Sequence, residues 1–169
     1  NLFIKDSYGF YKRYLLGIEE ENEHEESFSY KTYGIIVHHA LENLYSPYVG
    51  KILSLRDSNL ILKEIEPTVN SSIKKFFPQQ LVGNNLLAKT SIIRNIENII
   101  KRERKDVELG KKIKILGLEQ KLYFRKKFDF LDFEINFKGT IDRVDTFDNK
   151  LRILDYKTGA VEQSKITIH

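Results

Sequence analysis

Three residues near the end of the sequence, Asp142, Asp155 and Lys157, combine two carboxylates with an ammonium group. They stand on two segments in which apolar and polar residues alternate, and the segments meet at an Asp-Asn pair, 148–149. Alternation on both sides of such a pair predicts a β-hairpin with a tight turn. Asp142 then lies on the first strand, and the Asp-x-Lys sequence lies at the end of the second.

The predicted second strand carries Leu151 and Ile153 on the same face as Asp155 and Lys157, because side chains alternate between the two faces of a strand. An apolar strand face normally packs against the core, where an unpaired charge is costly. We therefore expect Asp155 and Lys157 to meet Asp142 at the rim of the sheet, around a cation. The alternative is a surface hairpin whose charged residues form salt bridges.

A cation held in this way suits phosphodiester hydrolysis, because a divalent ion activates water and stabilises charge in the transition state. Asp142 and Asp155 offer the hard oxygen ligands that Mg²⁺ prefers. The backbone carbonyl of Tyr156 points between two side chains of the predicted site, so it is a further candidate ligand. Lys157 is assigned to orienting the attacking water and offsetting charge. A general-base role is disfavoured, because neighbouring carboxylates raise the pKa of a lysine.

A helix is predicted from Tyr33 to Tyr48 by an apolar stripe at helical spacing. The stripe consists of Val37, Leu41, Leu44 and Tyr48. His38 borders the stripe and is expected to be half-buried, whereas His39 falls on the polar face and is expected to be exposed. On its own, His38 is either a hydrogen-bonded core residue or a metal ligand. As a ligand, its imidazole would shift the preference of the site toward Mn²⁺.

The segment from residue 52 to residue 105 has a helical pattern. One apolar-rich stretch precedes Pro67, and a new helix is predicted to begin at Pro67 and to end before Pro78. Another helix is predicted to begin near Asn85.

Basic residues collect at the end of that last helix. The group is Lys101, Arg102, Arg104 and Lys105. Such a group is either a solvated helix face or a track for phosphates leading to the active site. Tyr123 and Phe124, further along the chain, are either core aromatics or platforms on which unpaired bases stack.

A strand is predicted from Lys114 to Lys127, and Glu119 stands among its apolar residues. Glu119 is either a site residue or a residue accommodated by a β-bulge or a partner lysine. Arg143 and Asp145 are expected on the strand face opposite Asp142, where a salt bridge between them would hold the hairpin together.

The composition is that of an ordinary globular protein of 169 residues, with 41% hydrophobic and 31% charged residues, which is enough for one domain with a core. The formal charge of +4 permits nucleic-acid binding without requiring it. The absence of cysteine excludes a thiolate-held iron–sulfur cluster and fits a reducing compartment, so we expect a cytoplasmic protein. No apolar run approaches the ~18 residues of a membrane span, and no membrane partner is expected. The absence of methionine suggests a piece of a longer protein.

The phrases G-T-I-D-R-V-D at 139–145 and L-D-Y-K-T-G at 154–159 resemble the RecB-type branch of the PD-(D/E)xK nuclease superfamily, which includes AddB-like and CRISPR-associated nucleases. D-x-K alone is a weak signal, but the two phrases at this spacing are specific. The family motif G-x-x-x-H-x-x-L-E is matched by Gly34, His38, Leu41 and Glu42. The resemblance implies that His38 is a metal ligand and that Glu119 lies near the metal.

The N-terminal segment, 2–18, is predicted to be a short amphipathic helix, and it also matches the family. The matching residues are Phe10, Arg13, Tyr14 and Gly17. The family often has Cys-Pro where this segment has Asp6 and Ser7, and some relatives use that cysteine for an iron–sulfur cluster, so no such cluster is expected here. The helix with Q-x-x-x-Y that usually follows the D-x-K lysine is not found, so a C-terminal truncation is expected.

For the fold, the resemblance implies an α/β restriction-endonuclease-like core with a small mixed sheet and flanking helices. A single domain over residues 1–169 is expected, with a helical insertion at 52–105. The implied metal ligands are His38, Asp142, Asp155 and the Tyr156 carbonyl. The implied catalytic residues are Asp142, Asp155 and Lys157.

For the function, the resemblance implies a deoxyribonuclease dependent on Mg²⁺ or Mn²⁺. The expected context is an exonuclease module of a helicase–nuclease system in DNA repair and recombination, with DNA and a helicase domain or subunit as partners. Two alternatives are a nuclease-like module that binds DNA without cutting it, and a structural domain whose carboxylates only pair with lysines.

Overall fold

The computed structural model describes Tyr8, Tyr11 and residues 28–128, 130 and 132–158 of the chain. Apart from the two tyrosines, the predicted N-terminal helix lies outside the described residues, as does the chain after Thr158. Within the described ranges, three α-helices precede a three-stranded sheet. None of these helices has the length and apolarity that crossing a membrane requires.

Helix α1 spans Tyr30–Tyr45 and confirms the predicted helix, three residues nearer the N-terminus. It begins there because the Ser29 hydroxyl caps it, accepting a hydrogen bond from the backbone N–H of Thr32 at 3.1 Å. It ends where the Pro47-containing segment Ser46–Tyr48 tightens into a 3₁₀ turn. Its buried side chains are Ile36, Val37, Ala40, Leu41, Leu44 and Tyr45.

Helix α2 spans Leu55–Phe76 without interruption, so the predicted helix start at Pro67 is wrong. The helix begins instead at Ser54, which forms a reciprocal capping box with Asp57. Proline removes one backbone hydrogen bond from a helix interior. The helix continues through Pro67 because one apolar stripe is buried on both sides of it. The stripe consists of Ile61, Ile65, Val69 and Ile73.

Helix α3 spans Asn84–Glu108 and buries Ile92, Ile96, Ile100 and Glu103 along one stripe. It ends just before Gly110, whose φ of 84° lies in the left-handed region that glycine adopts without strain. Together α2 and α3 fill the segment that was expected to be helical. Its status as an insertion within one domain stays a prediction.

The sheet contains β1 (Ile113–Lys127), β2 (Glu134–Phe147) and β3 (Lys150–Leu154), in that order. A mixed sheet was expected, but every described pairing is antiparallel. Short hairpin connections link these strands, whereas a parallel pair needs a crossover of a dozen residues or more. The β2–β3 turn is Asp148-Asn149, with φ of 50° and 66°, as a type I′ turn requires. The predicted hairpin is therefore confirmed.

The face of β3 that packs inward is the opposite of the predicted one. Leu151 and Ile153 are 67% and 61% exposed, so the expectation that their face packs on the core is wrong. Arg152 and Tyr156 are partly buried instead. Arg152 pairs with the buried carboxylate of Asp145, and the Tyr156 ring packs against the core. These two contacts decide which face turns inward.

The hydrophobic core lies among the three helices and reaches the start of β1 through Ile113 and Ile115, both fully buried. The chain following α1 joins the helices to the sheet. Gly50 N–H donates to the Ile115 carbonyl and Leu53 N–H to the Ile113 carbonyl, each at 2.8 Å. This connection sets α1 beside the first two strands, where the site forms.

Candidate active site

Three side chains from three elements converge at one point: His38 from α1, Glu119 from β1 and Asp142 from β2. One ligand atom of each lies within 4.8 Å of the others. His38 Nδ1 is 3.3 Å from Asp142 Oδ1 and 3.8 Å from Glu119 Oε1. We call this group the His–Glu–Asp cluster. The predicted half-burial of His38 is confirmed, with 30% of its side chain exposed.

The backbone of Tyr156 holds two members of the cluster in place. Its N–H donates to Asp142 Oδ2 at 2.6 Å, and its carbonyl lies 2.8 Å from His38 Nε2. A carbonyl can only accept a hydrogen bond, so Nε2 must carry the proton of this contact. In the neutral ring, Nδ1 then presents its lone pair to the two carboxylates.

A local break in strand alternation brings Asp142 into the site. Asp142 and Arg143 are consecutive, yet Asp142 contacts His38 and Arg143 stacks on Tyr45, and both partners belong to α1. On the opposite strand, Glu119 has a φ of 45°, which is rare for a residue other than glycine and concentrates at functional sites. The expectation that Arg143 lies on the face opposite Asp142 is therefore wrong.

The cluster brings two carboxylates together in a partly buried position. Burial and then the charge of Asp142 raise the pKa of Glu119, while His38 opposes the increase. Asp142 itself is only 8% exposed. Two carboxylate oxygens and an imidazole nitrogen, with the Tyr156 carbonyl adjacent, form a donor set that a hard divalent cation accepts. The residues present therefore fit such an ion.

Asp155 and Lys157 lie apart from the cluster, paired with each other. Lys157 Nζ is 2.7 Å from Asp155 Oδ2, and their side chains are 68% and 55% exposed. This hydrogen bond, and then the Asp155 charge, raise the pKa of Lys157. Asp142 adds a smaller effect in the same direction. The structure thus brings His38, Glu119 and Asp142 together and leaves the Asp-x-Lys side chains at the surface. The catalytic roles assigned to them stay predictions.

An open cleft of about 450 Å³ lies beside the cluster, on the side of α1. It is lined by Gly34, Ile35, His38, His39, Glu42, Phe76 and Glu119. Gly34 keeps this part of α1 close to the chain after β3, since a Cβ there would lie 3.3 Å from Thr158 Oγ1. The cleft leaves one side of the cluster accessible from solvent.

His39 is partly buried, so its predicted exposure is wrong. Its Nδ1 lies 2.9 Å from the Ser72 hydroxyl of α2, and its ring meets Phe76 edge-on. Burial and the charge of Lys75 lower the pKa of His39. The polar side of α1 packs on α2, which the pattern of α1 alone does not reveal.

A second charged cluster lies next to the first, and each of its charges has an oppositely charged partner, although Arg143 Nε and Nη2 make no hydrogen bond to a described residue. Arg143, with no exposed surface, lies 2.9 Å from Glu103 Oε1 and 2.6 Å from Asp145 Oδ2. The second contact is an ion pair without hydrogen-bond alignment. Tyr45 donates to Glu103 Oε2 at 2.7 Å, and Arg152 makes two 2.9 Å hydrogen bonds to Asp145. We call this group the arginine network. The salt bridge expected between Arg143 and Asp145 is present.

The arginine network also reaches the first cluster through one residue. Arg143 Nη1 lies 3.5 Å from the hydroxyl of Tyr156, whose backbone holds Asp142 and His38. Burial raises the pKa of Tyr156 to about 12, so this hydroxyl stays protonated at neutral pH. Sequence reasoning missed Glu103 in this network. The sequence pattern could have identified Glu103, because it lies three residues after Ile100 and so continues the buried stripe of α3.

Two of the basic residues at the end of α3 contact polar or acidic side chains of α2 and α3. Lys101 pairs with Glu97 at 2.6 Å. Arg104 donates to Asn59 at 2.9 Å and lies 3.7 Å from Glu108. The nucleic-acid role assigned to Lys101, Arg102, Arg104 and Lys105 stays a prediction.

An α/β fold that sets a helix histidine beside two strand carboxylates is consistent with a restriction-endonuclease-like nuclease. Residues 1–168 match the family model described as the PD-(D/E)XK nuclease superfamily, and the chain belongs to that superfamily. Membership indicates a nuclease, and so a hydrolase of phosphodiester bonds. No curated protein and no solved structure matches the chain significantly.

Proposed function

We propose that this chain is a metal-dependent deoxyribonuclease of the RecB/AddB type, acting as the exonuclease module of a cytoplasmic helicase–nuclease system in DNA repair and recombination. The observation that carries the nuclease activity is the convergence of His38, Glu119 and Asp142 within 4.8 Å. The branch, the exonuclease mode and the helicase partner rest on the motif phrases at 139–145 and 154–159.

In this proposal, His38 Nδ1, Glu119 and Asp142 would hold Mg²⁺ or Mn²⁺, while the Tyr156 carbonyl, predicted as a ligand, lies 2.8 Å from His38 Nε2 and accepts its hydrogen bond. The ion supplies activation of water and stabilisation of charge on the phosphate. The protein's own contribution is orientation. The Tyr156 N–H fixes the Asp142 carboxylate, and its carbonyl fixes the His38 ring so that Nδ1 faces the carboxylates.

Lys157 acts as a cation and not as a general base, because its pKa is raised by Asp155. Its role is to contact the scissile phosphate and to orient the attacking water. For this role, the exposed pair of Lys157 and Asp155 must turn toward Asp142. Because both side chains are exposed and solvent screens their charges, breaking the present pairing costs little. Asp155 then completes the set of carboxylates.

Lys101, Arg102, Arg104 and Lys105 are proposed to contact phosphates of DNA outside the site. Arg102 and Lys105 are the better candidates of the four. Lys101 and Arg104 are engaged with neighbours on α2 or α3, as described above.

The test is cleavage of a labelled DNA by the purified protein, with Mg²⁺, with Mn²⁺ and with chelator. Cleavage with either ion is expected, with none in chelator. Asp155→Ala and Lys157→Ala are each expected to abolish cleavage while leaving thermal unfolding unchanged, because both side chains are exposed. Full activity in both variants would contradict the assigned roles.

One observation favours a second candidate, a module that binds DNA without cutting it. The Asp-x-Lys side chains are paired with each other outside the cluster. On this alternative, that pairing persists when DNA binds. Salt-dependent DNA binding, with no turnover in either metal, would then replace the nuclease proposal.

A further inference from the structure

The β1–β2 hairpin continues beyond the His–Glu–Asp cluster as an exposed two-stranded ribbon, residues 120–127 and 134–141. Strand β1 alternates between buried and exposed residues at its start, whereas all residues from 120 to 127 are exposed. At ~3.3 Å per residue, the ribbon extends roughly 26 Å from Glu119 to Lys127. It is therefore an arm that begins at the candidate site.

The two faces of the ribbon differ in chemistry. Phe124 and Phe137 are register partners and stack with ring centroids 4.8 Å apart, which defines an apolar face. Side chains alternate along a strand, so Tyr123 and its partner Lys138 lie on the other face. We call this other face the cationic face. Its members are Lys121, Tyr123, Arg125 and Lys127 on β1 and Lys138 on β2. Glu134 is the single carboxylate on it.

The cationic face is continuous with the candidate site. The register pairs on either side, Leu118↔Arg143 and Gln120↔Ile141, place Glu119 opposite Asp142. The next register pair after Gln120 and Ile141 is Lys121↔Thr140, where the cationic face begins. A strand of nucleic acid on this face would therefore end next to the cluster.

The four cations of this face are available for a ligand. Among residues 28–128 and 132–158, none of the four has a carboxylate within 4.0 Å, whereas Lys101 and Arg104 on α3 do. Tyr123 lies between Lys121 and Arg125 and is 73% exposed. Cations that track phosphates, interleaved with an aromatic platform for bases, characterise binding of single strands. A duplex keeps its bases stacked inside and offers Tyr123 little.

We propose that the cationic face of the ribbon binds single-stranded DNA and delivers it to the His–Glu–Asp cluster. The identity of the substrate as DNA rests on the proposed function, but the binding does not depend on cleavage. The ribbon can therefore be tested without metal.

The probe is a fluorescein-labelled oligo-dT of about 20 nucleotides, followed by anisotropy in chelator. In Lys121→Gln/Arg125→Gln/Lys138→Gln, affinity is expected to fall at least ~10-fold. The slope of log affinity against log salt is expected to shrink by about 2, from three lost phosphate contacts at ~0.7 each. The matched control is Lys63→Gln/Lys74→Gln/Arg94→Gln, which removes the same charge from exposed helix positions. Its affinity is expected to stay within about 2-fold of the parent.

Substitutions at Tyr123 test whether the ribbon binds single-stranded DNA in preference to duplex DNA. Tyr123→Ala is expected to weaken oligo-dT binding on the order of 10-fold and Tyr123→Phe to restore it, since stacking needs only the ring. Neither change should alter binding of a duplex of equal length. Equal losses in the ribbon variant and its control would overturn the ribbon as the binding surface. An unchanged affinity in Tyr123→Ala would overturn the single-strand assignment.

The experiments distinguish failure of the ribbon proposal from failure of the nuclease proposal. If the parent protein binds oligo-dT through the ribbon but does not cleave with Mg²⁺ or Mn²⁺, the ribbon proposal stands and the nuclease proposal fails. If the ribbon variant binds as the parent does and still cleaves, the ribbon proposal fails alone.

Discussion

Asp142 and Arg143 are neighbours in sequence, yet they belong to charged clusters of opposite character. Asp142 lies beside the carboxylate of Glu119 and the imidazole of His38, and Tyr156 N–H is its one described backbone donor. Arg143 lies between two carboxylates and against the ring of Tyr45. One cluster concentrates like charge, and the other balances every charge it buries.

The difference indicates what each cluster does. Buried charges are normally paired, because desolvation of an unpaired one is costly. The arginine network follows that rule and joins α1, α3, β2 and β3. The His–Glu–Asp cluster departs from it, raising the pKa of Glu119 through burial and the charge of Asp142. Such a departure is expected where a ligand supplies the missing charge. We infer that the arginine network serves stability and that the His–Glu–Asp cluster serves the proposed binding and catalysis.

Among changes within these two clusters, the largest effect on activity is expected from Asp142→Asn. An amide oxygen can still accept the Tyr156 N–H, while removal of the charge relieves repulsion with Glu119. Cleavage should fall at least ~100-fold, the scale seen when a charge-stabilising group is lost from an active site. Thermal unfolding should stay at or above the parent temperature. Unfolding well below it would show that Asp142 is a structural residue.

The largest effect on stability is expected from Arg143→Met. The change leaves Glu103 and Asp145 buried with one fewer cation, and breaking a buried pair costs about 3–5 kcal/mol. Urea unfolding at neutral pH measures it. A loss below about 1 kcal/mol would contradict the view that this network stabilises the sheet against the helices.

Arg152→Gln sharpens the comparison within the network. Arg152 contacts the same Asp145 carboxylate as Arg143, but 32% of its side chain is exposed. Solvent screens such a pair, so the expected loss is about 1 kcal/mol or less. The same urea titration gives the value. If Arg152→Gln costs as much as Arg143→Met, burial does not set the strength of these pairs.

Local patterns in the sequence predict the elements but not how they meet. The Asp148-Asn149 turn, helix α1 and strand β1 follow from nearest-neighbour rules, and they agree with the structure. The facing of β3 depends on the buried Asp145 of β2, which is the register partner of Arg152 and pairs with it, and the pattern of β3 alone does not reveal this contact. The continuation of α2 through Pro67 depends on packing along its whole apolar stripe.

The candidate site shows the same limit. The residue types of His38, Asp142 and Glu119 were visible in sequence, and the Glu119 backbone conformation that allows them to converge was not. No propensity scale favours a φ of 45° in a strand glutamate. The surface position of Asp155 and Lys157 likewise follows from the burial of Arg152 and Tyr156, which only the tertiary structure sets.

The smallest effect on stability is expected at an exposed ion pair, Asp148 with Lys111. Lys111 Nζ donates to Asp148 Oδ2 at 2.8 Å, and the Lys112 N–H donates to Oδ1 at 2.9 Å. The first hydrogen bond, and then the second, lower the pKa of Asp148 below the ordinary aspartate value. A lowered carboxyl pKa stabilises the fold above the unfolded-state pKa, and that contribution is lost as the pH falls through the folded-state pKa.

Asp148→Asn keeps a residue that tolerates positive φ in the turn and an acceptor for Lys112, but it removes the charge. The variant should therefore unfold slightly more easily than the parent at pH 7, and the difference should shrink as the pH falls through the lowered pKa of Asp148 and vanish once that carboxyl is protonated. Thermal melts of both proteins across this range measure it. A difference that persists unchanged at low pH would assign the effect to the turn backbone. The exposed pair of Asp148 and Lys111 therefore adds little to the free energy of unfolding, and only while Asp148 is charged. The buried pairs of Arg143 are expected to add much more.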